Sequence, residues 1–300
     1  MALPPVNTPS QPAAPQPNSL VQDLIEAGIH FGQRSAGWNP KMGPYIYGKR
    51  NGIHIIDIKE TIKGLLLAKK FIAKVVGDGK DIVFVGTKRQ ARAVIEQRVG
   101  DAKMHWVTER WLGGTLTNFR TIRSRLKRLE ELEAIEQTDN FASYSKKMES
   151  QLKREKDKIF RNLSGIRNMD KMPGAMVVID VRHEVNALRE ARKLGIPTIC
   201  LIDTDGDPEM ADIPIPGNDD SMRSIDVVIR ELCMAVSEGR QQRAAAKEAA
   251  DAVPAGGDAG QGGARRSRRS QFRADDASAS AATSGEGDSP ARAGDPVTSR

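Results

Sequence analysis

Three stretches of this sequence combine residue types that could do chemistry. In VFVGTKRQ (83–90) an apolar run passes through Gly-Thr-Lys into a helical pattern, the arrangement in which the N–H groups of a helix start cradle a phosphate. One glycine is too few, since the dinucleotide fingerprint takes three at G-x-G-x-x-G spacing and the P-loop takes a second glycine before its Lys. Lys88, Arg89 and Arg92 at the same turn serve equally well as cations against RNA phosphates. RWLGGTLTNF (110–119) offers Arg110 for phosphate pairing and Trp111 for base stacking; a buried Trp111 that pins the following helices to the rest of the fold fits the same residues. DTDGDP (203–208) opens like a calcium loop, but Pro214 stands where such a loop needs its twelfth-position Glu. His30, His54, His105 and His183 fall in separate segments without H-E-x-x-H spacing, so no helical zinc site is written there. Asp180 and Asp203 end successive apolar runs, and with His30 they would form a metal set only if the fold brought all three to one rim. No Ser-His-Asp or Cys-His order stands out.

The elements that must position these residues are read from periodicity. IHIIDI (53–58), DIVFVG (81–86), MHWVT (104–108), AMVVID (175–180) and PTICLI (197–202) read as buried parallel strands. Between them, 60–77, 88–99, 183–194 and 221–238 show helical spacing, with Thr87 and Asp180 as caps or turn residues and Asp219, Asp220 or Ser221 as the cap of the last helix. Alternating strands and helices predict a doubly wound α/β sheet. The alternation breaks at 116–167. There Phe119, Ile122, Leu126 and Leu129 make one seam and Met148, Leu152, Ile159, Leu163 and Ile166 another, separated by the polar QTDNFASYS, which predicts an inserted coiled-coil hairpin of two antiparallel helices. Its first helix starts basic, and Arg120, Arg123 and Lys127 share a face by spacing.

The 300 residues carry 46 Lys and Arg against 39 Asp and Glu, a net +7 that leans towards a polyanionic partner. No long apolar run predicts a membrane span, and the first residues lack the basic head and apolar stretch of a signal peptide. The two cysteines, Cys200 and Cys233, exclude a disulfide framework and read as small buried hydrophobes. Residues 1–18 are proline-rich and uncharged, and 241–300 are rich in Ala, Gly and Ser; both read as disordered, leaving 19–115 and 168–240 as the α/β domain. Within the tail, Arg265, Arg266, Arg268, Arg269 and Arg273 are either a phosphate-seeking cluster or a chance one.

The runs EAGIHFGQ (26–33), WNPKMGPYIYGKRNGIHIIDI (38–58), FVGTKRQA (84–91), RWLGGTLTNFRTIRSRLKRLEELE (110–133), VVIDVRHE (177–184), EARKLGIPTICLIDTDGDP (190–208) and IPGNDDSMRSI (215–225) together resemble the bacterial small-subunit ribosomal protein S-two family. The resemblance spans about 24 to 240 in order. It implies a flavodoxin-like sheet with a protruding coiled-coil hairpin, a place between the head and body of the 30S subunit, contact with 16S ribosomal RNA, and help in retaining the large mRNA-binding ribosomal protein S-one. It implies a cytoplasmic, ribosome-associated protein with an architectural role, no catalysis, no cofactor, and neither a membrane nor DNA as partner. The expected RNA contacts are Lys41 in WNPKM, Lys88, Arg89, Arg92, Arg110, Trp111, Arg120, Arg123 and Lys127. Gln33 stands where the family commonly has a histidine, which removes one potential metal ligand.

Overall fold

The computed structural model describes residues 17–137 and 145–251. The proline-rich arm to residue 16, the turn at 138–144 and the tail from 252, with its arginine cluster, lie outside the described residues. In chain order the elements are α1 (Pro17–Glu26), β1 (Phe31–Arg34), β2 (Ile46–Arg50), β3 (Ile53–Ile56), α2 (Ile58–Gly77), β4 (Ile82–Val85), α3 (Arg89–Asp101), β5 (His105–Val107), α4 (Phe119–Gln137), α5 (Lys146–Leu163), β6 (Ala175–Ile179), α6 (Val185–Leu194), β7 (Thr198–Ile202), β8 (Ile213–Pro216) and α7 (Met222–Asp251).

The apolar runs of β4, β6 and β7 are buried along their whole length because helices cover both faces of the sheet they form. That sheet is parallel, in the order β5-β4-β6-β7-β8. The chain winds outwards in one direction from β4 and in the other from β6, so the topological switch point lies between them, as in flavodoxin-like sheets. On one face, residues of α1, α2, α3 and α7, among them Leu24, Leu65, Ile95 and Leu232, pack against Phe84, Val177 and Leu201. On the other, α6 and the bases of α4 and α5, through Leu188, Leu126 and Leu163, pack against Val83, Val178 and Cys200. Cys200 is buried and Cys233 half-buried, both as free thiols.

Two of the strands differ from the sequence reading. IHIIDI does form a strand, β3, but as the centre of a separate antiparallel sheet in the order β1-β3-β2. A short apolar run carries no mark of which sheet it joins, whereas the Asn51-Gly52 pair just before it does: both residues have positive φ and close a two-residue hairpin. IPIP, outside the runs read as strands, is β8, an edge strand. Proline is tolerated there because an edge strand's outward N–H groups have no ladder partner to lose. Gly64 lets α2 come down on β8, since a Cβ at that position would collide with the Pro214 carbonyl, and the Thr61 hydroxyl donates to the Pro216 carbonyl at 2.7 Å.

α4 and α5 pack against each other in antiparallel directions. Glu136 near the end of α4 pairs with Lys156 within α5 at 2.6 Å, while Arg123 near its start reaches Asp170 beyond α5 at 2.7 Å. Ile122, Leu126, Leu129 and Leu132 are buried on α4, and Leu163 and Ile166 at the base of α5; Met148 is exposed. α7 continues to Asp251, so residues 241–251, read from the sequence as the start of a disordered tail, are helical past the point where apolar periodicity stops, and residues 241–248 are all exposed. Good helix formers rather than core contacts carry that extension.

Candidate functional site

At the switch point β4 ends in Gly86-Thr87-Lys88 and α3 begins. The Thr87 N–H and hydroxyl both donate to the Glu184 carboxylate, at 2.8 and 2.5 Å, so the place a phosphate would take at this helix start is held by the chain's own carboxylate. Burial pushes Glu184's carboxyl up, against the Thr87 hydrogen bonds. Lys88 turns into the crevice, where its Nζ meets Asp219 at 2.7 Å, Asp220 at 2.5 Å and Asp180 at 3.5 Å. Burial alone would lower the ammonium, but the three carboxylates outweigh it and hold Lys88 charged far above the ordinary lysine range. Asp219 is pushed up to about 8, first by burial and then by Asp180, with Lys88 opposing. The crevice is therefore acidic, and Lys88 is spent inside it.

Asp203 completes this rim. Carboxylate oxygens of Asp203, Asp219 and Asp220 lie within 4.8 Å of one another, a group that includes neither His30 nor Asp180. Asp203 is pushed up to about 6 by burial. The Gln33 N–H donates to Asp203 at 3.1 Å and its side-chain amide donates to Asp220 at 2.5 Å, so a neutral donor stands against these carboxylates. Asp180 has φ of 70° and acts as a turn residue, accepting from the N–H groups of Arg182 and His183. Ser221 caps α7 by accepting from the Ser224 N–H at 3.4 Å.

The remaining expected contacts fall into separate places. Arg89, first residue of α3, and Arg110 are exposed. Arg92, Arg110, Trp111 and His183 line one open cleft beside Thr87 and Glu184, with Arg92 paired to Glu109 at 3.0 Å. Trp111 is buried, 7% exposed, and its Nε1 donates to Glu190 at 3.0 Å, so its ring is packed beneath the hairpin and offers no face to a base. Of the two readings of Trp111, the pin is the one the geometry shows. Glu190, which the sequence reading passed over, also accepts from the N–H groups of Gly114, Leu116 and Thr117 at 2.7, 3.0 and 3.0 Å and from the Thr117 hydroxyl at 3.1 Å. One carboxylate on α6 thus fixes the whole loop that launches α4. Its only sequence signal was a Glu in a helix facing a loop rich in unsatisfied N–H groups.

On α4, Arg123 is turned towards the end of α5, pairing with Asp170 and donating to the carbonyls of Arg167 and Met169 at 3.4 and 3.3 Å. Arg120, Arg125 and Lys127 are exposed and have no ion-pair partner among the described residues. Lys41 is exposed but engaged, its Nζ meeting Asp207 at 3.0 Å and Glu209 at 2.5 Å.

The fold and this site define a class: an α/β protein with a parallel five-stranded sheet, an inserted pair of helices and a switch-point crevice filled by its own acidic side chains. A family model described as "Ribosomal protein S2" matches residues 24–239, and the chain belongs to that family. A curated protein from Rhodopirellula baltica named "Small ribosomal subunit protein uS2" is 56% identical over 225 residues, covering 75% of this chain and 86% of that protein. No helix among the described residues is long and apolar enough to cross a membrane.

Proposed function

We propose that this chain is a structural constituent of the small ribosomal subunit, that it binds 16S rRNA at the head–body junction, and that it supports retention of the mRNA-binding protein S-one. Its role is architectural, in the cytoplasm and on the ribosome. Family membership supports the assembly. The observation that carries the RNA contact is the start of α4: Arg120, Arg125 and Lys127 are exposed cations without acidic partners among the described residues, on a helix whose base is locked to the sheet through Trp111 and Glu190. Phosphates are bound by such fixed cations, and selectivity comes from RNA shape. Arg89 and Arg110 extend the surface. Arg92, Arg123 and Lys41 act as positioning residues through their ion pairs, while Lys88 and Trp111 hold the site from within.

The test is binding of the full chain to 16S rRNA across a salt series. Each phosphate contact contributes roughly 0.7 to 0.9 to the log–log salt slope. Changing Arg120, Arg125 and Lys127 together to Gln reduces the slope by about 2 to 3; an unchanged slope in a folded variant refutes the assignment. Co-sedimentation of the chain with 30S subunits checks the assembly itself.

A further inference from the structure

The outer side of α2 takes no part in the core, the switch-point crevice or the proposed α4 contact. Its inner side packs on the sheet through Leu65, Ala68 and Ile72, leaving Lys59, Lys63, Leu66, Leu67, Lys70 and Lys74 exposed. At 3.6 residues per turn these six fall within an arc of about 100°. Leu66 and Leu67, 48% and 55% exposed, are the only sequence neighbours among the exposed large hydrophobic side chains of the described residues. Lys63 is paired with Glu60 one turn back, but Lys59, Lys70 and Lys74 have no ion-pair partner among the described residues. Beside this stripe a groove of about 520 Å³ runs between α2 and α7, with Leu66 and Ala73 on one wall and Gln242 on the other. Its base is firm: Lys69 of α2 pairs with Glu231 of α7 at 2.9 Å, and a Cβ at Gly239 would stand 2.6 Å from the Ala73 carbonyl. From there the exposed extension of α7 runs on, and its Arg243, whose guanidinium lies over Gly79, is a further cation without an ion-pair partner among the described residues.

The chemistry of this surface selects its occupant. Leucines offer a base no ring to stack on and a phosphate no donor, and Asp78 and Glu238, which also line the groove, repel a phosphate backbone. An apolar centre rimmed by charge is the anatomy of a protein contact. A helix laid in the groove satisfies both parts of it: apolar side chains at three- and four-residue steps cover the leucines, and flanking carboxylates reach the lysines. The stripe from Lys59 to Lys74 is about 22 Å long, which fixes the bound segment at about four helical turns. Such a helix also gives the extension of α7 the neighbour that the core does not supply.

We propose that the groove between α2 and α7 docks an acidic amphipathic helix of another protein, with Leu66 and Leu67 as apolar anchors and Lys59, Lys70 and Lys74 pairing with its carboxylates. The surface is separate from the rRNA contact at α4 and does not depend on it.

The test places photoreactive benzoyl-phenylalanine at position 66 of the full chain in living cells and maps the crosslinked product by mass spectrometry. The expected result is an adduct to a protein segment with more Asp and Glu than Lys and Arg and with apolar residues at helical spacing. A synthetic peptide of the mapped segment then binds the full chain, read by fluorescence anisotropy. Leu66→Ser weakens that binding by about 10-fold or more. Lys70→Glu combined with Lys74→Glu weakens it by about 10- to 100-fold, and a peptide whose acids are changed to Lys regains affinity for this double variant. That rescue is a gain of binding, which misfolding does not produce. An adduct to RNA, to this chain's own arm or tail, or to a segment without net negative charge overturns the proposal, as does the absence of any adduct or a peptide affinity that neither variant changes. The same photoreactive residue at position 120 reports on the α4 contact with RNA separately, so either reading can fail alone.

Discussion

Replacing Glu190 with Ala tests whether one carboxylate fixes the launch of the helical insertion. Glu190 accepts from Trp111 Nε1, from the N–H groups of Gly114, Leu116 and Thr117, and from the Thr117 hydroxyl. Thr117 is exposed, so its two donors return to water without much loss. Trp111 and Leu116 are buried and Gly114 half-buried, leaving three donors that lose a charged acceptor in partial shelter. At about 1 kcal/mol for each, the cost is about 3 kcal/mol, within a range of about 2 to 4. Glu190→Gln keeps one acceptor oxygen and costs about half as much. Partial burial pushes the Glu190 carboxyl up, but its hydrogen bonds to Thr117, Gly114, Trp111 and Leu116 outweigh that and hold it below the ordinary range. A depressed folded-state pKa contributes stability that is present above the unfolded value of about 4.3 and is lost as pH falls through the folded one. The difference between the native chain and Glu190→Gln therefore closes in acid. Urea unfolding of the full chain, followed by tryptophan fluorescence at pH 7 and at steps down to pH 3, measures both. A cost below about 1 kcal/mol for Glu190→Ala, or a Glu190→Gln difference that does not change with acid, refutes the reasoning.

Asp219 predicts the opposite slope: its folded pKa is raised to about 8, so the stability it contributes is present below the unfolded value and lost as pH rises through about 8. Asp219→Asn flattens the loss between pH 5 and 9, by about 1 to 3 kcal/mol, as read from denaturant midpoints across that range. Lys88→Met leaves buried Asp219 and half-buried Asp180 without their cation and costs about 2 to 4 kcal/mol near pH 8, with part recovered at pH 5 as Asp219 takes up a proton; a pH-independent cost would show that the ion pairs do not matter. Gly165→Ala drives a methyl into the Trp106 carbonyl, where the base of α5 meets β5. Backbone cannot yield as a side chain can, so a loss of about 2 to 4 kcal/mol is expected in thermal unfolding.

The parallel sheet was legible because β4, β6 and β7 are buried on both faces and so read as unbroken apolar runs. The helical insertion was legible because Ile122, Leu126 and Leu129 recur at helical steps without a strand between. What stayed hidden was partnership. Nothing in IHII says which sheet it joins, and in IPIP the prolines argue against a strand until its edge position is known. At the site, counting cations overstated their availability. Lys88, Arg123 and Lys41 look alike in sequence to Arg120 and Lys127, but the first three meet carboxylates far along the chain, at Asp219, Asp170 and Asp207. Trp111 could be weighed as a stacking residue or a pin, and only the position of Glu190 decides between them.

The way α2 lies on β8 has a consequence for how the protein behaves at high concentration. A sheet normally ends in a row of free donors and acceptors onto which another chain can add a strand. Here Pro214 and Pro216 have no N–H to give, the Pro216 carbonyl is occupied by Thr61, and the Pro214 carbonyl is roofed by Gly64. This border of the sheet cannot be lengthened, which removes one route to aggregation for copies still awaiting their place in a larger assembly.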